Sequence, residues 1–191
     1  MRTKENLVNP ASDYYLYQPS TIASKLYLYP KEIGYFYYEP GYWRSRIQYN
    51  SFLLMYIAKG TCQVLLPDQQ LQNAVAGQVV LIDCYVPHEY GFDCDAEVSW
   101  IHFDGPLARD FYDLITASHG NIISPSNSFP ITNGLDQMLH VFRNSKPLKE
   151  GEASEMITQM LNTLLYTRAY SGNTTSHFKV VEKSRAYINE H

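Results

Sequence analysis

The 191-residue chain lacks a long apolar run, a cluster of basic residues and a paired-cysteine motif, and each absence removes a class of function. No stretch approaches the roughly 20 apolar residues of a membrane-spanning helix. The opening Met1-Arg-Thr-Lys-Glu-Asn6 is polar and leads into no apolar segment of the kind a secretory signal requires. The sequence therefore predicts a soluble, cytoplasmic protein with no membrane role. Fifteen Lys and Arg against nineteen Asp and Glu give a formal net charge of -4, and the cations are dispersed. Phosphate affinity comes from clustered cations, so this segment alone is not expected to bind nucleic acid. The three cysteines, Cys62, Cys84 and Cys94, are odd in number and lack CxxC spacing. They read as reduced thiols without a bridge or a zinc site.

Signatures of catalysis are missing as well. There is no GxSxG, no Cys-His motif, no phosphate-binding glycine loop and no HxH pair. His88, in Pro87-His88-Glu89, and His102 do not form a facial ligand set with the scattered carboxylates, so neither a metal nor another cofactor is expected. His88 reads as a hydrogen-bonded turn residue and His102 as a partly buried barrel residue.

What the chain does have is tyrosine. Of its 17 Tyr, nine lie between Tyr14 and Tyr42. A flat apolar ring carrying a hydroxyl suits polyhydroxylated or aromatic ligands. Tyrosine is equally a good strand former, and that alone accounts for many of them.

Residues 14–104 read as short strands separated by turn signals, the pattern of a sandwich or barrel. Tyr35–Tyr38 precedes a Pro40-Gly41 turn, and Ser51–Ala58 ends at Lys59-Gly60. Cys62–Leu66 stops at Pro67-Asp68, Gln78–Ile82 is followed by a loop, and Glu97–Phe103 closes the series. In Val98–Phe103, period-two alternation puts Val98, Trp100 and His102 on one face and Ser99, Ile101 and Phe103 on the other. Helical spacing takes over after Gly105-Pro106. Leu107, Phe111, Leu114 and Ile115 mark a first helix, and Leu135, Met138, Leu139 and Phe142 a second. A third runs from about Glu152 to Tyr170, with Met156, Met160 and Leu164 on one ridge and Ile157, Leu161 and Leu165 on its neighbour. Ser171–Ser176 looks like a linker, and Phe178–His191 resumes helical spacing without a stop signal, as though cut from a longer chain.

Four segments, in their order and spacing, resemble the amino-terminal cupin domain of AraC-type transcription regulators: Leu53–Gly60, Ala76–Ile82, Pro87–Tyr90 and Ser99–Gly105. The helical half and the closing VVEKSRAYINEH helix complete the likeness. It implies a mainly β fold with added α, a cupin (jelly-roll) double-stranded barrel followed by a helical dimerisation segment. The division it suggests is an arm with first strands over 1–50, barrel core over 51–105, dimerisation helices over 106–171, and over 172–191 a linker with the first helix of a missing helix-turn-helix domain.

The resemblance further implies a non-enzymatic sensor. Its partners would be a small polar effector such as a sugar, a second copy of the chain, and DNA only through the missing domain. Similarity to the sugar-binding members implies that Trp100 stacks on the ligand, that Tyr90 contacts it, and that Arg44 or Arg46 hydrogen-bonds its oxygens. His88 and His102 complete the expected ligand set. Val98 stands where the arabinose-binding member carries a ligand-contacting histidine, so the identity of the ligand does not carry over. The family also implies an antiparallel dimer through the third helix. Two apolar ridges are broader than one seam, which would let one face the barrel and the other a partner. Two other functions fit a cupin: a metal-dependent isomerase or dioxygenase, and a stand-alone carbohydrate-binding module.

Overall fold

Most of the tyrosine-rich stretch lies in two strands of the main sheet. The computed structural model describes residues 5–67 and 69–167. Asp13–Leu16 (β1) pairs antiparallel with Tyr29–Tyr38 (β2), with the short helix Thr21–Leu26 (α1) between them. Gly41, at a φ of 89° that favours glycine, turns the chain into Tyr42–Arg46 (β3). There follow Phe52–Lys59 (β4), Thr61–Leu65 (β5), Gln72–Val75 (β6), Val79–Asp83 (β7), His88–Phe92 (β8) and Ala96–Asp104 (β9). The helical half is Ala108–His119 (α2), the two-residue strand Ile122–Ile123 (β10), Phe129–Arg143 (α3) and Glu150–Leu165 (α4).

Two sheets stack face to face, a six-stranded one in the order β1-β2-β9-β4-β7-β10 and a four-stranded one in the order β3-β8-β5-β6. The helices cover the outer face of the larger sheet, whose central strands β4, β7 and β9 are therefore buried on both sides. Alternation sorts them: Leu53, Met55 and Trp100 point between the sheets, while Phe52, Leu54, Ile101 and Phe103 point at the helices. This is why β4 and β7 read as continuous apolar runs instead of alternating ones. The double-stranded barrel with carboxyl-terminal helices is the expected fold.

Some elements differ from expectation. His88–Phe92, read as loop, is a central strand of the smaller sheet, and α1 and β6 carried no clear signal. The third helix ends at Leu165, short of the expected Tyr170; the linker over 171–176 and the helix over 178–191 lie outside the described residues.

The largest correction concerns α4. Ile157, Met160, Leu161 and Leu164 are at most 1% exposed, with Met156 and Leu165 packed against the same core. Helices α2 and α3 and strand β2 flank α4, so both apolar ridges are covered within one chain. The outward strip is polar instead, a shallow groove of Ser154, Glu155, Thr158, Gln159, Asn162 and Thr163. The ridge that the sheet leaves uncovered packs against α2 and α3.

Side-chain ties lock the amino-terminal strand to this helical layer. Arg143 at the end of α3 grips Asp13 with two bonds of 2.7 and 2.8 Å, holding the Asp13 carboxyl below its usual range. Tyr15 stacks on Phe142 at 5.6 Å. Among the described residues, no helix is long and apolar enough to cross a membrane.

Candidate functional site

Period-two alternation along four strands aims a set of polar side chains into one end of the space between the sheets. From β3 come Tyr42, Arg44 and Arg46, while Trp43 points outward and donates from Nε1 to Glu89 at 2.7 Å. Their antiparallel partner β8 sets Tyr90 opposite Arg44 and His88 opposite Arg46. Strand β9 adds Trp100 and His102, and β2 adds Glu32, Phe36 and Tyr38. The result is a partly open cavity of about 220 Å³, floored by Leu53 and Met55 and edged by Tyr14 and Glu5. That is below the ~300–1,000 Å³ of pockets for drug-sized molecules, so it suits something smaller.

The cavity holds unused hydrogen-bonding capacity. Arg46 Nη1 and Trp100 Nε1 are buried without a partner, in a protein interior where such donors are normally satisfied. The Arg46 guanidinium lies 4.6 Å from the centre of the Tyr49 ring, which orients it without consuming its donors. Trp100 meets Phe36 edge-on at 5.1 Å and is only 7% exposed.

The tautomer of His102 follows from its neighbours. Ser51 Oγ spends its single proton on the Tyr49 carbonyl at 2.9 Å, so His102 Nδ1, 2.9 Å from the same oxygen, must be the donor. Its Nε2 is then a bare acceptor. Burial, followed by the charges of Arg46, His88 and Lys31, holds the His102 pKa well below its ordinary value, so the ring stays neutral. His88 behaves alike: Nδ1 donates to Val86 O at 2.9 Å, and burial lowers its pKa. Tyr38, Tyr42 and Tyr90 are pushed up by burial and keep their protons. The cavity thus offers both donors and acceptors, the requirement for binding hydroxyl groups, each of which does both.

Of the six residues expected in a ligand set, Arg44, Arg46, Tyr90, Trp100 and His102 line this cavity together. His88 does not line it. It opens β8, 1% exposed, with Nε2 buried and unpartnered, and so is a strand residue rather than a turn residue. His102 is 3% exposed, more deeply buried than expected. Sequence reasoning missed Glu5, Glu32, Phe36 and Met55, which carry no motif; Tyr14, Tyr38 and Tyr42 were visible only as part of the tyrosine excess. Among the described residues, no three of His, Cys, Asp and Glu are grouped so as to hold a metal ion.

The depressed histidines make a pH prediction. The unfolded chain takes up their protons at about pH 6.5, the folded chain only at lower pH. Their contribution to stability is complete above about 6.5 and is lost as pH falls from there through the folded values. Urea unfolding between pH 7 and 5 is expected to show stability falling by up to about 1.4 kcal/mol per pH unit for each histidine. The slope should be shallower in His102→Gln. Equal slopes in the two proteins would show that His102 does not contribute.

Three comparisons place this geometry among known proteins. The family described as AraC-like ligand binding domain matches residues 29–161. No curated protein matches the chain. Among solved structures, the AraC-like transcriptional activator CuxR is 13% identical, covers 93% of this chain and 69% of its own, and superposes with a TM-score of 0.54. YhaK from Escherichia coli is 15% identical over 50% of this chain and 45% of its own, with a TM-score of 0.43. A cupin superfamily protein from Desulfitobacterium hafniense DCB-2 is 16% identical over 53% and 82%, with a TM-score of 0.37. At these identities the likeness to CuxR concerns the fold alone.

Proposed function

Since this chain belongs to the AraC-like ligand-binding domain family, we propose that it senses a small polar effector, a sugar, in the cavity between its sheets. The observation that carries the reading is the pair of buried, unpartnered donors Arg46 Nη1 and Trp100 Nε1 beside the acceptor Nε2 of His102. A monosaccharide presents a ring face for Trp100 and hydroxyls for the other two. The expected ligand set is accordingly Arg44, Arg46, Tyr90, Trp100 and His102, with His88 supporting Arg46 from the neighbouring strand. The role is binding, without turnover of the sugar. Residues 1–50, 51–105 and 106–171 act as one sensing unit, and 172–191 leads to the DNA-binding half in the cytoplasm.

Sensing requires the effector to favour one arrangement of the helical layer, by about 1–3 kcal/mol in typical couplings. Asp13 and Tyr15, clamped to α3 on either side of the cavity residue Tyr14, provide a direct connection. A second copy of the chain is proposed to dock on the helical layer. Since the apolar ridges of α4 are buried, the contact would use its polar outward strip.

The test uses intrinsic fluorescence. The chain has two tryptophans, and Trp43 is 44% exposed on the far side of its sheet, so Trp43→Phe leaves Trp100 as the only reporter. Titration with a panel of monosaccharides is expected to change Trp100 emission for at least one sugar, and Arg46→Met should weaken that sugar's binding at least tenfold, about 1.4 kcal/mol. A panel without response, or a response indifferent to Arg46→Met, removes the sugar reading.

A further inference from the structure

One cavity residue comes from outside the strands. Glu5 precedes β1 by eight residues, yet it lines the cavity together with Arg44 and Arg46. Its carboxylate pairs with the Arg44 guanidinium and accepts from the Tyr42 hydroxyl at 2.8 Å. The segment behind it is docked firmly. Val8 is buried and bridges to Tyr38, Asn9 N–H donates to Tyr37 O at 2.9 Å, and Glu39 N–H donates to Leu7 O at 2.9 Å. Leu7 takes a φ of 60°, a backbone state that a leucine keeps only where its surroundings impose it.

An arginine beside a phenol hydroxyl is a carboxylate-binding position, and here the chain fills it with its own carboxylate. Glu32, on β2, adds a second acid to the lining and sets two carboxylates against Arg44 and Arg46. With His102 held neutral, the cavity carries no net charge to attract an acid. We propose that Glu5 is a specificity-determining residue: it occupies the carboxylate position at Arg44 and Tyr42 and so restricts the cavity to uncharged polyols. The proposal rests on reading the cavity as the effector site. An acidic effector would have to expel Glu5 or sit beside it, and like charges at close range in a partly dry site repel strongly.

Glu5→Ala vacates that position and leaves Arg44 without this partner. Acetate at matched ionic strength with chloride is expected to raise the melting temperature of Glu5→Ala by about 2–4 °C. The unaltered chain and the double variant Glu5→Ala/Arg44→Gln should not respond. No acetate response, or the same response in all three proteins, overturns the proposal.

A second arm compares glucose with glucuronate and galactose with galacturonate by calorimetric titration. The unaltered chain should bind a neutral sugar at least about tenfold tighter than its uronate, and Glu5→Gln, with the same volume and no charge, should close the gap. A uronate bound as tightly as its neutral sugar by the unaltered chain overturns the filter. A positive acetate response with no neutral sugar bound supports the filter at Glu5 and removes the sugar reading of the cavity instead.

Discussion

Replacing Leu161 by glutamate is expected to unfold the protein, and Leu164→Glu to do the same. Both leucines are fully buried on the face of α4 that packs into the helical core beside Leu135, Met138 and Leu139. Truncating such a side chain to alanine already costs roughly 2–5 kcal/mol. A carboxylate there also loses its hydration and finds no cation, adding several kcal/mol more. Together these reach the ~5–15 kcal/mol that holds a whole domain folded.

The outward strip gives the contrast. Gln159→Glu places the same charge on exposed α4 surface, where the expected change in stability is within about 0.5 kcal/mol. Circular dichroism melts separate the two outcomes, and sedimentation of the folded Gln159→Glu variant reports whether the strip contacts a second copy. A folded, dimeric Leu161→Glu would contradict the packing described. A Gln159→Glu variant with unchanged association would move the contact between copies off this strip.

The second large effect is expected at Gly34. It sits opposite Trp100 in the β2–β9 register, and the indole lies over it. A Cβ at this position would come 2.5 Å from Trp100 Cζ2 and 2.9 Å from the Asp13 carbonyl oxygen. Its φ is not in the left-handed region, so space alone excludes a side chain. The indole has little freedom to retreat, since Phe36 stands edge-on against it, and the carbonyl belongs to the backbone of β1.

Gly34→Val must therefore push Trp100 into the cavity or part β1 from β2. The overpacking costs about 1–3 kcal/mol or more. A lowered melting temperature, a shifted Trp100 emission and loss of the sugar response are expected together. Unchanged emission and melting in Gly34→Val would show that the glycine has no part in seating the indole.

How far the sequence was readable depended on whether the signal was local. Strand β4 and its turn at Gly60, strand β9 and all three long helices showed in spacing, because period and turn chemistry are properties of neighbouring residues. The alternation in Val98–Phe103 put Trp100 and His102 on one face, and they do share the cavity. Strand β8 was missed because His88-Glu-Tyr-Gly-Phe92 has a weak strand pattern of its own; it is extended because β3 and β5 flank it and take up its backbone groups. The same holds for His88, whose burial comes from its neighbours in the sheets.

By itself, then, the sequence determined that a half built of short strands precedes a helical half, the family, and the face on which Trp100 and His102 lie. Tertiary structure alone decided that both ridges of α4 are buried, that Gly34 makes room for an indole 66 positions away, and that Glu5 reaches Arg44. Periodicity reports which face of an element is apolar and is silent about what covers it. Contacts between residues far apart in the chain arise only when the sheets close and the helices pack, and no short window of sequence records them.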